Sequence, residues 1–309
     1  MAPDLSAEEQ HLVAEAVAAA PSVLNTRPWV VDVHGDTVTV SADPSVRLAA
    51  IDPHGREMMI SCGAALLNAR LALNHCGRDP VVVSFPEPDT PDLLARIDAS
   101  RRREATETDN RLYAAVPRRH TDRRPFREER LPFGIMARLE EAASTEGAVL
   151  TPLTTEQVPG VLELARRAEE RYRQDPELRS ELARWVAPTR DGETRGLSPE
   201  DLGPRPSDAL APVRQFDRTE DAPERPVAEF EQTPNLAVLS TLADLPADWL
   251  RAGQATQHVL LLATDLGLAT SFLTHPLEAD DLRAWVRDPR RFPGHPQVVL
   301  RLGHPADPS

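Results

Sequence analysis

Apolar positions along the chain switch between helical spacing and strict alternation, and the switches mark the elements. Ser6, with Glu9 three residues on, has the signature of a capping box opening a helix that stops at Pro21. "WVVDVHGDTVTVSAD" alternates like a hairpin, with Gly35 and Asp36 in the turn. Over 57–76 the spacing is helical again, and Gly77 sits where a C-cap belongs. "PVVVSF" reads as a short buried strand and "TPDLLARIDASRRREATETDNRLYAAV" as a helix. Then come a helix over 135–144, a strand in "AVLTPL" and a long helix from Glu156 towards Trp185. After a proline-rich stretch the chain resumes with the strand "NLAVLSTL", a helix over 245–266 and a closing strand "QVVLRLG". The order is α+β in two similar passes.

A weak internal repeat accompanies the two passes. "CGAALLNARLALNHCG" and "AGQATQHVLLLATDLG" align without gaps, pairing Gly63 with Gly253 and Gly77 with Gly267. Between Pro188 and Pro234 lie eight prolines and few large apolar residues. Such a stretch is either a linker or a long covering loop, and "PVRQF" and "PVAEF" supply anchors that a free linker does not need. Trp185, Trp249 and Trp285 fall at helical spacing and are expected as core or lid anchors.

Charge narrows the partners. The chain carries 49 Asp plus Glu against 35 basic residues, a net charge of -14, which argues against nucleic acid or an anionic membrane as the main partner. All 35 are arginine, so a P-loop, a Schiff-base cofactor and a catalytic lysine are excluded. Cys62 and Cys76 form no CxxC and suit a reducing compartment. The histidines and cysteines make no metal-ligand spacing, and His75-Cys76 reads as packing at a helix end. No apolar run reaches membrane-spanning length, and the acidic N-terminus reads as a cytoplasmic amphipathic helix, not a signal peptide. GxGxxG and GxSxG are both absent.

Against this acidic background "RRHTDRRPF", 118–126, holds four arginines and a histidine in nine residues. It reads either as a solvated loop or as an anion cradle. In the second reading Arg119, Thr121 and Arg123 alternate onto one face of an extended segment, so two guanidiniums and a hydroxyl converge on one ligand. "APSVLNTRPW" likewise reads as a helix stop and turn, or as a small-residue loop lying against a flat polar ligand.

Together, "PSVLN" followed by "PW" and "RHTDRRPF" resemble the nitroreductase superfamily of FMN-binding oxidoreductases. There an Arg-x-Ser-x-Lys/Arg segment holds the flavin and a Pro-Ser-x-x-Asn-x-Gln-Pro-Trp loop covers it. The order here is loop, "DPHGREMMISCGAALLNARLAL", "RRHTDRRPF" and "RAGQATQHVLLLATDLGLATSFL". It is similar to the Acg-type FMN-binding subfamily of actinobacteria, whose members fold two nitroreductase-like halves in one chain and carry a lid. The resemblance implies a three-layer α/β/α sandwich of two fused halves forming a pseudo-dimer. The first half would be 1–105 and the second 106–309, including a proline-rich lid over 188–234.

It also implies a site. Arg119 and Thr121 would meet the FMN phosphate and ribityl chain, and Arg123 the N1/O2 edge of the ring. Pro21, Ser22 and Asn25 would come from the other half, and the backbone of Leu273, Thr274 and His275 would approach N5 and O4. Three departures stand out. Arg27 replaces the usual Gln, Thr274-His275 replaces small residues, and "GHPADPS" lacks the basic pair that often completes the phosphate site, leaving Arg301 as the candidate substitute.

The function so implied is hydride transfer from NAD(P)H through FMN to a nitro compound, quinone or similar small molecule. No side-chain acid or base and no metal is assigned. The alternative is a flavin-binding or storage protein with an occluded, weakly active site. One arginine stretch and one Pro-Ser-x-x-Asn loop give one flavin per chain, and the internal pairing makes a monomer sufficient.

Overall fold

Ser6 caps the first helix as its signature requires: Glu9 N–H donates to Ser6 Oγ at 3.2 Å, and Ser6 N–H donates to the Glu9 carboxylate at 2.8 Å. The computed structural model describes residues 4–186, 195–216, 225–287 and 294–306; the lid expectations for 188–194 and 217–224 lie outside the described residues. In chain order the elements are α1 (Ala7–Ala18), β1 (Trp29–His34), β2 (Thr37–Ala42), α2 (Arg56–His75), β3 (Val81–Ser84), β4 (Leu93–Asp98) and α3 (Glu107–Ala115). They continue with α4 (Phe133–Thr145), β5 (Val149–Pro152), α5 (Val158–Gln174), α6 (Pro176–Trp185), β6 (Arg205–Pro206), β7 (Val227–Ala228) and β8 (Asn235–Thr241). Last come α7 (Pro246–Asp265), β9 (Ala269–Phe272), α8 (Asp280–Val286) and β10 (His295–Gly303).

Two antiparallel sheets share one plan. The first is ordered β1-β2-β4-β3 and the second β5-β8-β10-β9, with α2 and α7 in corresponding places between their second and third strands in sequence. The repeat read from the sequence lies on α2 and α7, which pack directly on each other. At their crossing a Cβ on Gly63 would lie 2.1 Å from the Leu250 carbonyl oxygen, and one on Gly253 2.0 Å from that of Ile60. Only glycine at both positions allows backbones this close.

The expected α/β/α sandwich is met at one sheet only. The second sheet has α4 and α7 on one face, around Leu139, Leu239, Val259 and Leu300, and α5 and α8 on the other, around Val161, Val238, Val286 and Val299. Against the first sheet, α1, α2 and α3 cover the face carrying Val38, Val40 and Ile97. Its opposite face bears exposed Val30, Asp32 and His34 and half-buried Thr37 and Thr39, with no helix over it. Such a polar outer face has nothing to gain from a covering layer.

Local readings failed where tertiary pairing decides. Residues 93–98 form a strand, not the expected helix, because they lie between β2 and β3 and pair with both. The run Leu93-Leu94-Ala95 is buried throughout and has no alternation to betray it. The helix begins only after Thr106, whose Oγ1 accepts from Asp109 N–H at 3.1 Å. β3 is not buried but an edge strand, with Val81 and Val83 exposed. The long helix expected over 156–185 is broken at Pro176, which lacks the N–H to continue it, and Asp175 caps the second piece through Glu177 N–H at 2.8 Å. Trp285 is 77% exposed and anchors nothing, whereas Trp249 packs on the second core.

The two passes differ in one connection. β1 and β2 are joined by the two-residue turn Gly35-Asp36; the corresponding β5 and β8 are joined by residues 153–234. This insertion lays α5 over the second sheet and then crosses to the first half. There Leu197, Leu202 and Phe216 pack with Leu24, Leu48 and Ile51. Of the anchors expected in "PVRQF" and "PVAEF", Val213, Phe216 and Phe230 are buried, and Val227 is 65% exposed.

Arg301, the candidate for completing the phosphate site, is committed to a carboxylate. It is fully buried and holds the end of the insertion, donating to the two Glu231 carboxylate oxygens at 2.5 and 2.6 Å, with its guanidinium 3.7 Å from the Phe126 ring centre. Glu231→Gln is expected to destabilise the protein by about 2 kcal/mol or more, because it leaves a buried guanidinium under-neutralised. Urea unfolding of the variant, and of an Arg301→Met/Glu231→Leu pair expected to recover part of the loss, checks this. No helix among the described residues is long and apolar enough to cross a membrane.

Candidate functional site

The loop after α1 is held in an unusual shape. Leu24, Asn25 and Arg27 all have positive φ, at 47°, 55° and 48°, a region that side chains disfavour. What holds it is a set of local bonds. Val23 N–H donates to Ser61 Oγ on α2 at 3.1 Å, Arg27 N–H to Ser22 Oγ at 3.0 Å, and Asn25 Nδ2 to the Gly196 carbonyl of the insertion at 2.8 Å. The arginine stretch is fixed by the second sheet. Asp122 N–H donates to the Thr270 carbonyl on β9 at 2.8 Å, and the Asp122 carboxylate pairs with Arg124 at 2.7 Å.

Loop and stretch meet at two adjoining cavities that share Pro21, Ser22, Arg123 and Phe272. One, the smaller, has an apolar floor of Ile60, Ala64, Gly253 and Val298. Thr274, His275, Glu57, Glu278, Arg214 and Phe216 form its walls. Gly253 thus serves both the helix crossing and the cavity floor. The other, the larger, is polar and is lined by Asn25, Arg27, Arg119, His120, Thr121 and Arg124, and by Glu200 and Asp201 of the insertion.

The structure therefore brings Pro21, Ser22, Asn25, Arg119, Thr121, Arg123, Thr274 and His275 to one composite pocket. Leu273 is not among its lining: its side chain is fully buried in the layer under α5, and its N–H is taken by the Val299 carbonyl at 2.9 Å. Asn25 reaches the cavity, but its amide group ties the loop to the insertion.

Electrostatics single out Arg119. Its Nε and Nη1 atoms are shielded from solvent and have no hydrogen-bond partner, and burial pulls its pKa down to about 10. An under-solvated guanidinium with unpaired nitrogens beside a polar cavity is suited to receive an anion. Arg123 is likewise brought down to about 10, chiefly by burial. It donates to the Asp201 carbonyl at 2.5 Å, and its guanidinium stands 5.3 Å from the Phe216 ring centre.

A second group escaped sequence reasoning. Arg214 donates to Glu278 at 2.7 Å and lies over the Tyr172 ring at 4.7 Å, while Tyr172 Oη donates to the same carboxylate. Burial opposes the charge on Arg214, but Glu278 and Tyr172 outweigh it and hold the guanidinium protonated. Beside them Glu57 contacts Arg56; burial, with Glu278 and Asp52 adding, pushes its carboxyl up to about 7 against the pull of Arg56. These residues close the far wall of the smaller cavity with paired charges.

The chain is similar to proteins of Mycobacterium tuberculosis strain H37Rv. It is 32% identical to Rv3131, provisionally named NAD(P)H nitroreductase, over 96% of this chain and 85% of that protein. Against acg, which carries the same provisional name, the identity is 30% over 92% and 85%. No protein-family model matches the chain. A solved nitroreductase with bound FMN from Bacteroides fragilis aligns over 64% of this chain and 90% of that one at 15% identity and a TM-score of 0.38, a likeness too slight to bear on the site. Identity at the level of Rv3131, sustained across most of both chains, means that this protein belongs to the nitroreductase family.

Proposed function

We propose that the protein is an FMN-dependent oxidoreductase holding one flavin per chain across the two cavities. When bound, FMN supplies the two-electron chemistry, accepting a hydride from NAD(P)H and passing it to a nitro compound, quinone or similar acceptor. The observation that carries this reading is the pair of stranded Arg119 nitrogens at a polar cavity that adjoins a second, apolar-floored one. In it Arg119 and Thr121 hold the phosphate and ribityl chain. Arg123, at the junction of the cavities, would be the fixed cation that stabilises negative charge developing on the reduced ring. Thr274, His275, Pro21, Ser22 and Val23, which line the smaller cavity, would hold the ring.

The matching sheet orders favour two fused halves of Acg type, 1–105 and 106–309, forming an internal pseudo-dimer. In that arrangement the covering loop comes from one half and the arginine stretch from the other, and the insertion acts as a lid. A second reading, flavin binding or storage with little turnover, is favoured by Arg214 and Phe216 of the insertion, which line the ring cavity and leave less room for an acceptor.

The protein, saturated with FMN and freed of excess, is expected to release about one FMN per chain on acid treatment and to lose its visible flavin absorbance rapidly with NADPH or NADH. Colourless protein after reconstitution would sink both readings, and two flavins per chain the fused-half argument. Tightly bound flavin inert to both nucleotides would leave storage standing and turnover refuted.

A further inference from the structure

The polar cavity holds more positive charge than the arginine stretch brings to it. Three guanidiniums line it without a carboxylate partner among the described residues: Arg119, Arg123 and Arg27. Arg124 is neutralised by Asp122. Of the two carboxylates on the opposite wall, Asp201 turns back to accept from Ser198 N–H and Oγ, both at 2.8 Å, and Glu200 is exposed. His120, also exposed, has its Nδ1 3.1 Å from the Arg118 carbonyl.

Arg27 is the unexplained member. It stands in the strained loop at φ 48°, a conformation that glycine or asparagine would adopt more easily. Its side chain makes one long bond, Nε to Asn25 Oδ1 at 3.4 Å, and its two terminal nitrogens make none. The two terminal nitrogens of this half-buried side chain are therefore available to a ligand in the cavity that it lines.

Charge balance identifies one. A phosphate monoester carries about -1.5 to -2 at neutral pH. With Arg123 at the ring edge, Arg119 alone leaves about one negative charge on the phosphate unmatched. Arg301, the candidate from the sequence, is committed to Glu231 on another side of the arginine stretch. We propose that Arg27 is the second phosphate-binding guanidinium, closing on the phosphate from the first half opposite Arg119 of the second. The proposal rests on the reading that the two cavities hold FMN. It also gives the covering loop a role in choosing the ligand: the loop distinguishes a phosphorylated flavin from its dephosphorylated form.

The test compares FMN with riboflavin, which lacks the phosphate, by flavin fluorescence titration of apoprotein. Arg27→Gln removes the charge and keeps a side chain of similar reach. The expected result is a loss of FMN affinity of about 10- to 100-fold with riboflavin affinity changed less than about twofold. The FMN loss should shrink as salt is raised. Equal losses for both flavins would mean that Arg27 acts through loop shape, and no loss for either would mean that it meets no ligand; each overturns the proposal. Unchanged riboflavin binding also shows that the variant is folded. Wild-type protein that binds FMN tightly while the variant is silent refutes Arg27 alone, whereas wild-type protein that binds neither flavin refutes the site.

Discussion

Replacing Arg119 and Arg123 together by alanine is expected to lower FMN affinity by about two orders of magnitude or more. The reason is visible in the apoprotein. Two guanidiniums are held out of water, each with its pKa drawn down to about 10 chiefly by burial, and two Arg119 nitrogens have no partner. An anion arriving there gains charge-assisted bonds without having to order or desolvate the receiving groups. The same argument predicts the sign of the stability change. Removing an unpaired, under-solvated cation relieves a penalty, so the apoprotein of Arg119→Ala should melt no lower than wild type while binding flavin worse. Fluorescence titration and thermal melts of the apoproteins check the two halves. A melting point that falls with unchanged affinity would make the stretch structural.

Substituting alanine at both Gly63 and Gly253 is expected to destabilise the protein by about 5 kcal/mol or more, within reach of a domain's whole stability. Each new methyl would start about 2 Å from a carbonyl oxygen on the facing helix. The obstruction is backbone, so no rotamer change relieves it; α2 and α7 must separate along their length and loosen both cores. Gly253 also floors the smaller cavity, so any folded remnant should bind flavin weakly. Urea unfolding measures the first effect. Near-wild-type stability would mean that the crossing is looser than these distances require.

What the sequence disclosed and what it concealed follow from range. Ser6, Gly35 and Gly77 act on their own neighbours, so cap, hairpin turn and helix end were all legible. Gly63 and Gly253 were legible as a repeat, although the reason for the glycines needed the facing helix. Residues 93–98 were misread because what makes them a strand is pairing with β2 and β3 on either side, which leaves no mark in the buried run Leu93-Leu94-Ala95. Arg119 could be singled out by local density of charge in an acidic chain. Arg214, Glu278 and Tyr172 could not: Glu278 lies 64 residues from Arg214 and 106 from Tyr172, and no short pattern links them. Leu273 was named from its place in a motif, but the ladder to Val299 and the layer under α5 claim its N–H and its side chain.

Both ends of the insertion leave neighbouring rungs of a single antiparallel pair, where Pro152 lies opposite Ala237 and Leu153 N–H still donates to the Leu236 carbonyl at 2.8 Å. The other half closes the same corner with two residues. The long segment therefore leaves and rejoins the framework at one hairpin corner, although between those ends it packs on both halves. Chain added to or removed from such a segment changes closure entropy only slowly with length and shifts no strand in register. The insertion can thus differ in length without disturbing the strand pairing of the second sheet, which holds the arginine stretch through the Thr270 carbonyl.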